Sequence, residues 1–225
     1  MSSLGTARPL ACTRRVLQCL IIATVVSGCS TGTIANAPSP PGVKAPVAFA
    51  LNLSALHGYV PQSSAVVTAQ TLARQEHDQS IVGALQREGF QGGASNQFAD
   101  PGTTAPTTAF AEVISQALFF TSASGAEGYF TDEMRRQRRQ PPPPSGSTTQ
   151  LALPGHERVD QAAGLAASAP AGTGGGVPVR TYFVLLRKGR VVAVVIALGD
   201  AAVATGPAFS ALIGAQVALL QFSPD

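Results

Sequence analysis

Residues 179–198 read VRTYFVLLRKGRVVAVVIAL, and this stretch decides the fold prediction. Two runs rich in β-branched and aromatic residues, 179–186 and 191–198, flank the four residues Arg187-Lys188-Gly189-Arg190. Runs of this composition form strands, and a short glycine-containing loop between them is typical of a hairpin. The sequence therefore predicts an antiparallel β-hairpin near the C-terminus.

Segments on either side of this hairpin alternate between helical and strand patterns. Apolar residues at helical spacing predict three helices, and shorter β-rich runs predict two more strands. The predicted helices are 65–88 (capped by Ser63 or Ser64 and stopped by Gly89), 126–139 (capped by Ser122 or Ser124) and 208–222 (after Thr205 and Pro207); the strands are 90–99 and 109–120. An antiparallel sheet with helices packed on one face would bury this pattern, so an α+β fold is expected.

The remaining segments are loops, or are too poor in signals to assign. Pro141–Pro144 ends the second helix, and disordered loops are expected near residues 140–149 and 170–177. Residues 150–169 are alanine-rich and remain unassigned. The apolar run 201–222 admits a membrane span as an alternative, but Pro207, Gly214 and Gln216 favour a buried helix.

The N-terminus has the features of an export signal. Arg8, Arg14 and Arg15 are the only charges in the first fifteen residues, and the largely apolar run 16–26 follows. This run of about 11 residues is shorter than the roughly 20 that a spanning helix needs. Thr13-Arg14-Arg15 is similar to the start of a twin-arginine signal, but Gln18 interrupts the apolar residues expected after it, so general secretion is favoured.

Val26-Ser27-Gly28-Cys29 resembles the lipobox of bacterial lipoprotein precursors. The resemblance implies cleavage before Cys29, acylation of this cysteine, and attachment to the extracytoplasmic face of the cell membrane. A diacylglycerol with fatty acids such as palmitate anchors stably because two chains are buried. The expected organisation is a signal peptide (1–28), the lipidated Cys29 with a proline-rich tether (29–46), and one domain (47–225). An ordinary signal peptide cut nearby is the alternative.

Removal of the leader excludes several function classes. It takes three arginines from the 15 basic residues, which leaves as many basic as acidic groups, 12 of each. A chain of zero formal charge gives no reason to expect nucleic-acid binding. Cys12 and Cys19 leave with the leader and Cys29 is acylated, so no thiol remains for a disulfide, a metal site or a nucleophile.

One charge cluster stands out in the mature chain. Arg135, Arg136, Arg138 and Arg139 precede the proline tract and form a candidate contact with anionic lipid. The alternative is a solvated helix end whose cations complement the helix dipole.

Catalytic and metal-binding motifs are absent from the sequence. His57, His77 and His156 have no ligand spacing, Gly172–Gly176 lacks the Lys-Ser/Thr of a phosphate loop, and no nucleophile motif occurs. No metal, cofactor or catalytic residue is predicted. An enzyme would need His156, Glu157 and Asp160 to converge with Asp200 in one cleft.

We therefore expect a non-catalytic lipoprotein of the cell envelope. Its domain would be a binding or scaffolding module for an amphiphile, a cell-wall component or an envelope protein. The alternatives are an envelope enzyme with an unrecognised acid/base site and a structural spacer. The arginine-rich, lysine-poor composition is similar to that of small lipoproteins of GC-rich Gram-positive bacteria, although no motif supports this likeness.

Overall fold

The computed structural model describes residues 46–52, 56–102, 108–171, 177–202 and 204–223. These residues form one antiparallel sheet of seven strands: β1 (Val60–Val67), β2 (Phe90–Ala99), β3 (Glu112–Phe120), β4 (Ser147–Gln150), β5 (Gln161–Ala169), β6 (Val179–Lys188) and β7 (Val191–Asp200). Across the sheet the strand order is β1-β2-β3-β7-β6-β5-β4. The helices are α1 (Ala69–Gln75), α2 (Ile81–Arg87), α3 (Ala123–Arg139) and α4 (Gly206–Leu220). The predicted leader, Cys29 and nearly all of the tether lie outside the described residues.

The predicted C-terminal hairpin is confirmed and lies near the middle of the sheet. Strands β6 and β7 pair from Val179 opposite Asp200 to Lys188 opposite Val191. Only Gly189 and Arg190 are left for the turn, so it is two residues tighter than expected, and Gly189 adopts a φ of 54°. Neighbours on both sides, β3 and β5, complete the pairing of the hairpin.

The α+β class is confirmed, but the expectation that all helices pack on one face is wrong. Tyr182 and Val184 of β6 join a core beneath α4, whereas Phe183 and Leu185 join a second core beneath α1, α2 and α3. Strands β3, β6 and β7 carry apolar residues at both odd and even positions, and successive side chains point to opposite faces. Both faces of the central strands therefore have to be covered by helices.

The predicted helix 65–88 is wrong at its start, where residues 65–67 belong to β1, and in its middle, where residues 76–80 separate α1 from α2. Ser63 and Ser64 lie in β1, where their hydroxyls donate to Gln97 and Asn96 of β2 at 3.0 and 2.9 Å. Helix α1 begins only after Thr68, whose Oγ1 accepts a hydrogen bond from the amide of Thr71. The start of the predicted helix pairs with β2 instead, so strand pairing overrides the helical spacing of the apolar residues. Strand β1 is an edge strand, and seven of its eight residues are exposed.

Other boundaries follow local signals more closely. The strand 90–99 is confirmed, and the predicted strand 109–120 contains β3, which begins three residues later than expected, at Glu112. Helix α3 begins after Ser122 as predicted, with its Oγ accepting from the amide of Gly125 at 3.1 Å. Part of the predicted loop 140–149 forms β4, and the unassigned stretch contains β5. Residues 172–176 of the other predicted loop lie outside the described residues.

Helix α4 covers the second face of the sheet. It has 15 residues, and no helix in the described ranges is long and apolar enough to cross a membrane. Gln216 is fully buried and donates through Nε2 to the carbonyl of Phe49 at 2.7 Å. Its Oε1 accepts from the hydroxyl of Ser115, which in turn accepts from the amide of Leu51. The segment 46–51 is thereby held against the α4 face.

Candidate functional site

The four arginines predicted as a lipid contact lie in the last turn and a half of α3. The helix ends at Gln140, whose extended backbone precedes the proline tract. Cations at this end complement the helix dipole, so the helix tolerates four of them. The packing of α3 against the sheet divides the four into one that points inward and three that remain at the surface.

Arg136 is the inward one. Its guanidinium pairs with the carboxylate of Glu133, whose side chain is only 2% exposed. The second oxygen of Glu133 accepts from Nε2 of Gln137 at 2.7 Å. Arg136 neutralises a buried acid, and we remove it from the set of candidate lipid contacts.

The other three arginines line a groove beside α3. Arg135, Arg138 and Arg139 are exposed and border an open cavity of about 490 Å³. Its floor is mainly apolar, with Phe130 and Met134 of α3 and Ala163 of β5, and Thr131 completes the lining. We call this feature the α3–β5 groove. It exists because β5 and β4 extend the sheet beyond the width that α3 covers.

The charge of the groove is only partly neutralised. Arg135 pairs with Asp132 at 2.7 Å, and both side chains are about half exposed, which makes the pair weak. Within the described part of the chain, neither Arg138 nor Arg139 forms a salt bridge. The groove wall therefore presents two guanidinium groups without carboxylate partners.

A separate and smaller depression lies further along β5. Leu165 and Ala167 lie on the same face as Ala163, and with Phe183 of β6 they line a small depression of about 20 Å³ at the end of α3. Gln137, Gln140 and Thr148 provide its polar rim. Residues 163 to 167 span about 13 Å of extended strand. The open groove beside α3 thus combines a basic wall with an apolar floor, and the depression beyond it has room for little more than one water molecule.

The residues named for an enzyme do not converge. His156 and Glu157 are 70% and 64% exposed on a short 3-10 turn. Asp160 lies at the β6–β7 turn, where its carboxylate accepts from the amide of Gly189 and from Nζ of Lys188 at 2.7 and 3.0 Å. Asp200 lies at the far end of β7, about 30 Å away along the strand. Among the described residues, no three His, Cys, Asp or Glu side chains group into a metal site.

Asp160 instead anchors the hairpin turn. Burial raises the pKa of its carboxyl, but the hydrogen bond from the Gly189 amide and the Lys188 ammonium outweigh this and hold the pKa below its usual range. The charged form is therefore favoured, as a structural role requires.

An acidic cluster between α1 and α3 escaped the sequence analysis. Glu76, at the end of α1, is half-buried, and burial together with the nearby Glu133 raises its pKa to about 7. Arg136 opposes this rise and Asp78 adds to it. Burial also raises the pKa of Tyr129 well above its usual value, reinforced by Glu133. Nothing in the sequence indicates this cluster, because two helices distant in sequence bring it together.

Comparisons with known proteins identify no family for this chain. No family model matches the chain, and no curated protein matches it. Among solved structures, the chain is similar to the extracellular domain of PknH from Mycobacterium tuberculosis, with a TM-score of 0.49 and 11% sequence identity over 78% of this chain and 92% of that chain. A likeness of this degree says nothing about what the present chain binds.

Proposed function

We propose that the protein is a lipid-anchored module on the extracytoplasmic side of the cell membrane, which binds an amphiphile and catalyses no reaction. The observation that carries the proposal is the α3–β5 groove, because it places exposed arginines beside an apolar floor. A ligand with a charged head and an apolar tail would satisfy both surfaces at once.

The anchor is proposed from the sequence of the leader. Arg14, Arg15, the short apolar run and the Val26–Cys29 lipobox together indicate export and acylation. Attachment through Cys29 would keep the domain at the membrane, where amphiphiles are concentrated.

A binding module is favoured over the two alternatives by particular contacts. The enzyme alternative loses its named residues, since Asp160 is engaged at the hairpin turn and Asp200 lies at the opposite end. A structural spacer is expected to have no concave apolar pocket, whereas this domain has a groove.

An envelope protein is the second candidate ligand, and the edge strand β1 favours it. This strand ends the sheet, and its exposed residues include Val60 and Val66, which are 38% and 53% exposed. An extended segment of a partner could pair with such an edge.

Cys29→Ala tests the anchor. The variant is expected to lose acylation and to remain as unprocessed precursor or leave the membrane fraction, because the thiol is the acylated group. Detergent phase partitioning and the precursor-to-mature mass difference measure this. Cys19→Ala is the matched control, since that cysteine belongs to the leader. Unchanged partitioning of Cys29→Ala would refute the lipobox assignment.

Native mass spectrometry tests ligand binding. Protein extracted from its own membranes is expected to carry an additional mass that is lost on denaturation. A chain that carries only its covalent acyl groups, in both native and denatured spectra, would contradict the amphiphile proposal and favour a protein partner at β1.

A further inference from the structure

We propose that the α3–β5 groove takes a single-chain phosphate monoester, with the phosphate on Arg138, Arg139 and Arg135 and the chain along β5. The inference rests on the proposed function and specifies the ligand of the same site. It follows from the charge of the wall, the spacing of the arginines and the shape of the floor.

The charge of the wall matches a dianion. Three arginines and Asp132 lie on this part of α3, which leaves two positive charges after the Arg135–Asp132 pair is counted. A phosphate monoester carries about −1.5 to −2 charges at pH 7, whereas a diester carries one. The C-terminal end of a helix by itself repels anions, so the guanidinium groups have to supply the attraction.

The spacing of the arginines suits one phosphate. Arg138 and Arg139 lie three and four residues after Arg135, a spacing that puts each about 5–6 Å from Arg135 at Cβ, so each can share a small anion with Arg135, and all three border the groove. Guanidinium groups bind phosphate through paired hydrogen bonds, which makes arginine more suitable than lysine for this role.

The floor of the groove accommodates one alkyl chain of the ligand. Ala163 and Leu165 of β5 are partly exposed on the α3 side and form a short apolar strip, whereas Ala167 and Phe183 beyond them are buried. The strip is one strand wide because the polar groups of Gln137, Gln140 and Thr148 border it. A narrow groove of this form fits a single extended chain, and a flat bilayer surface would leave its floor unfilled.

The test is a calorimetric titration of the acylated full-length protein in nanodiscs of uncharged phosphatidylcholine, with protein-free discs as the blank. The probes are octyl phosphate, its methyl diester, octanol and inorganic phosphate. Octyl phosphate is expected to bind most tightly, and its affinity is expected to fall as the pH drops below about 6, where the phosphate loses its second charge. Hexyl phosphate is expected to bind more weakly, by up to about fourfold per buried methylene.

Arg138→Gln/Arg139→Gln is the variant that removes the two unpaired guanidinium groups. Affinity for octyl phosphate is expected to fall by about one to two orders of magnitude. Arg74→Gln/Arg87→Gln is the matched control, since it changes the charge equally at exposed sites on α1 and α2. Thermal unfolding of both variants verifies that the domain remains folded.

Each outcome has a distinct meaning. If the diester or octanol binds as tightly as octyl phosphate, or if the arginine variant binds normally, the phosphate assignment is wrong while amphiphile binding stands. If inorganic phosphate binds as well as octyl phosphate, the groove has no site for the alkyl chain and the assignment is overturned. If none of the four probes binds, the proposed function itself fails. Binding to phosphatidic acid vesicles without any dependence on chain length would overturn the single-chain site in favour of surface contact.

Discussion

Gly125→Ala is expected to destabilise the protein by about 2 kcal/mol, although alanine is the better helix former. A Cβ atom at this position would lie only 1.9 Å from the backbone oxygen of Glu88 and 2.9 Å from its carbonyl carbon. Glu88 caps the C-terminal end of α2, so the obstacle is backbone that cannot rotate away. The two helices would have to separate, which would loosen the core around Leu85.

Gly128→Ala is the matched control in the same helix. A Cβ atom there would meet only the side chain of Glu88, at 3.5 Å or more, which is an ordinary contact. This substitution is expected to be neutral or to stabilise by up to about 1 kcal/mol, because glycine is unfavourable inside a helix. Urea unfolding at 25 °C measures both variants. Equal free energies of unfolding for the two would show that the close approach of α2 and α3 does not limit stability.

Glu76→Gln is expected to raise the free energy of unfolding by roughly 2–3 kcal/mol at pH 8 and to leave it nearly unchanged at pH 4.5. The pKa of Glu76 is about 7 in the folded protein against an ordinary value of 4.5, because burial and Glu133 disfavour its charged form. Each pKa unit corresponds to about 1.4 kcal/mol, and the partial exposure of the side chain reduces the total.

The sign of this effect follows from which state holds the proton. Below pH 4.5 the carboxyl is protonated in both states, and its contribution to stability is fully present. Between pH 4.5 and about 7 the unfolded chain releases the proton while the folded chain retains it, so stability falls as the pH rises. Glutamine does not titrate, so the variant does not lose stability at this position as the pH rises.

Urea unfolding of wild type and variant at half-unit pH steps measures the difference. Other groups titrate in both proteins, and their contributions cancel in it. Glu127→Gln is the control, since Glu127 is exposed on α3 and its replacement is expected to change the free energy little. A Glu76→Gln profile parallel to that of wild type would show that the pKa of Glu76 is the same in the folded and the unfolded protein.

Several elements of the fold could be predicted from local sequence patterns. The β6–β7 hairpin, the capped start of α3 at Ser122 and the proline-marked start of α4 depend on neighbours within a few residues. The boundary between Gly89 and β2 is of the same kind, since Gly89 adopts a φ of 74°. Short-range propensity and capping were sufficient for these elements because tertiary packing does not oppose them.

The candidate site could be predicted only in part. The four arginines are evident in the sequence, but Arg136 turns inward because its partner Glu133 lies on the buried face of α3. No local pattern distinguishes Arg136 from Arg135. The apolar floor belongs to β5, which lay in the unassigned alanine-rich stretch. Prediction of a groove between two elements requires knowledge of how those elements pack.

The sequence by itself determined the C-terminal hairpin, and it is the whole basis of the proposed export signal, of the proposed lipobox at Cys29 and of the charge balance expected after cleavage, because each is a property of contiguous residues. Only the tertiary structure decided that helices cover both faces of the sheet, that β1 is an edge strand, that Glu76 and Glu133 share a buried cluster, and that three of the four arginines border a groove. These features depend on residues far apart in sequence that come into contact when both apolar faces of one sheet are buried. Local sequence patterns do not indicate which distant residues will be in contact.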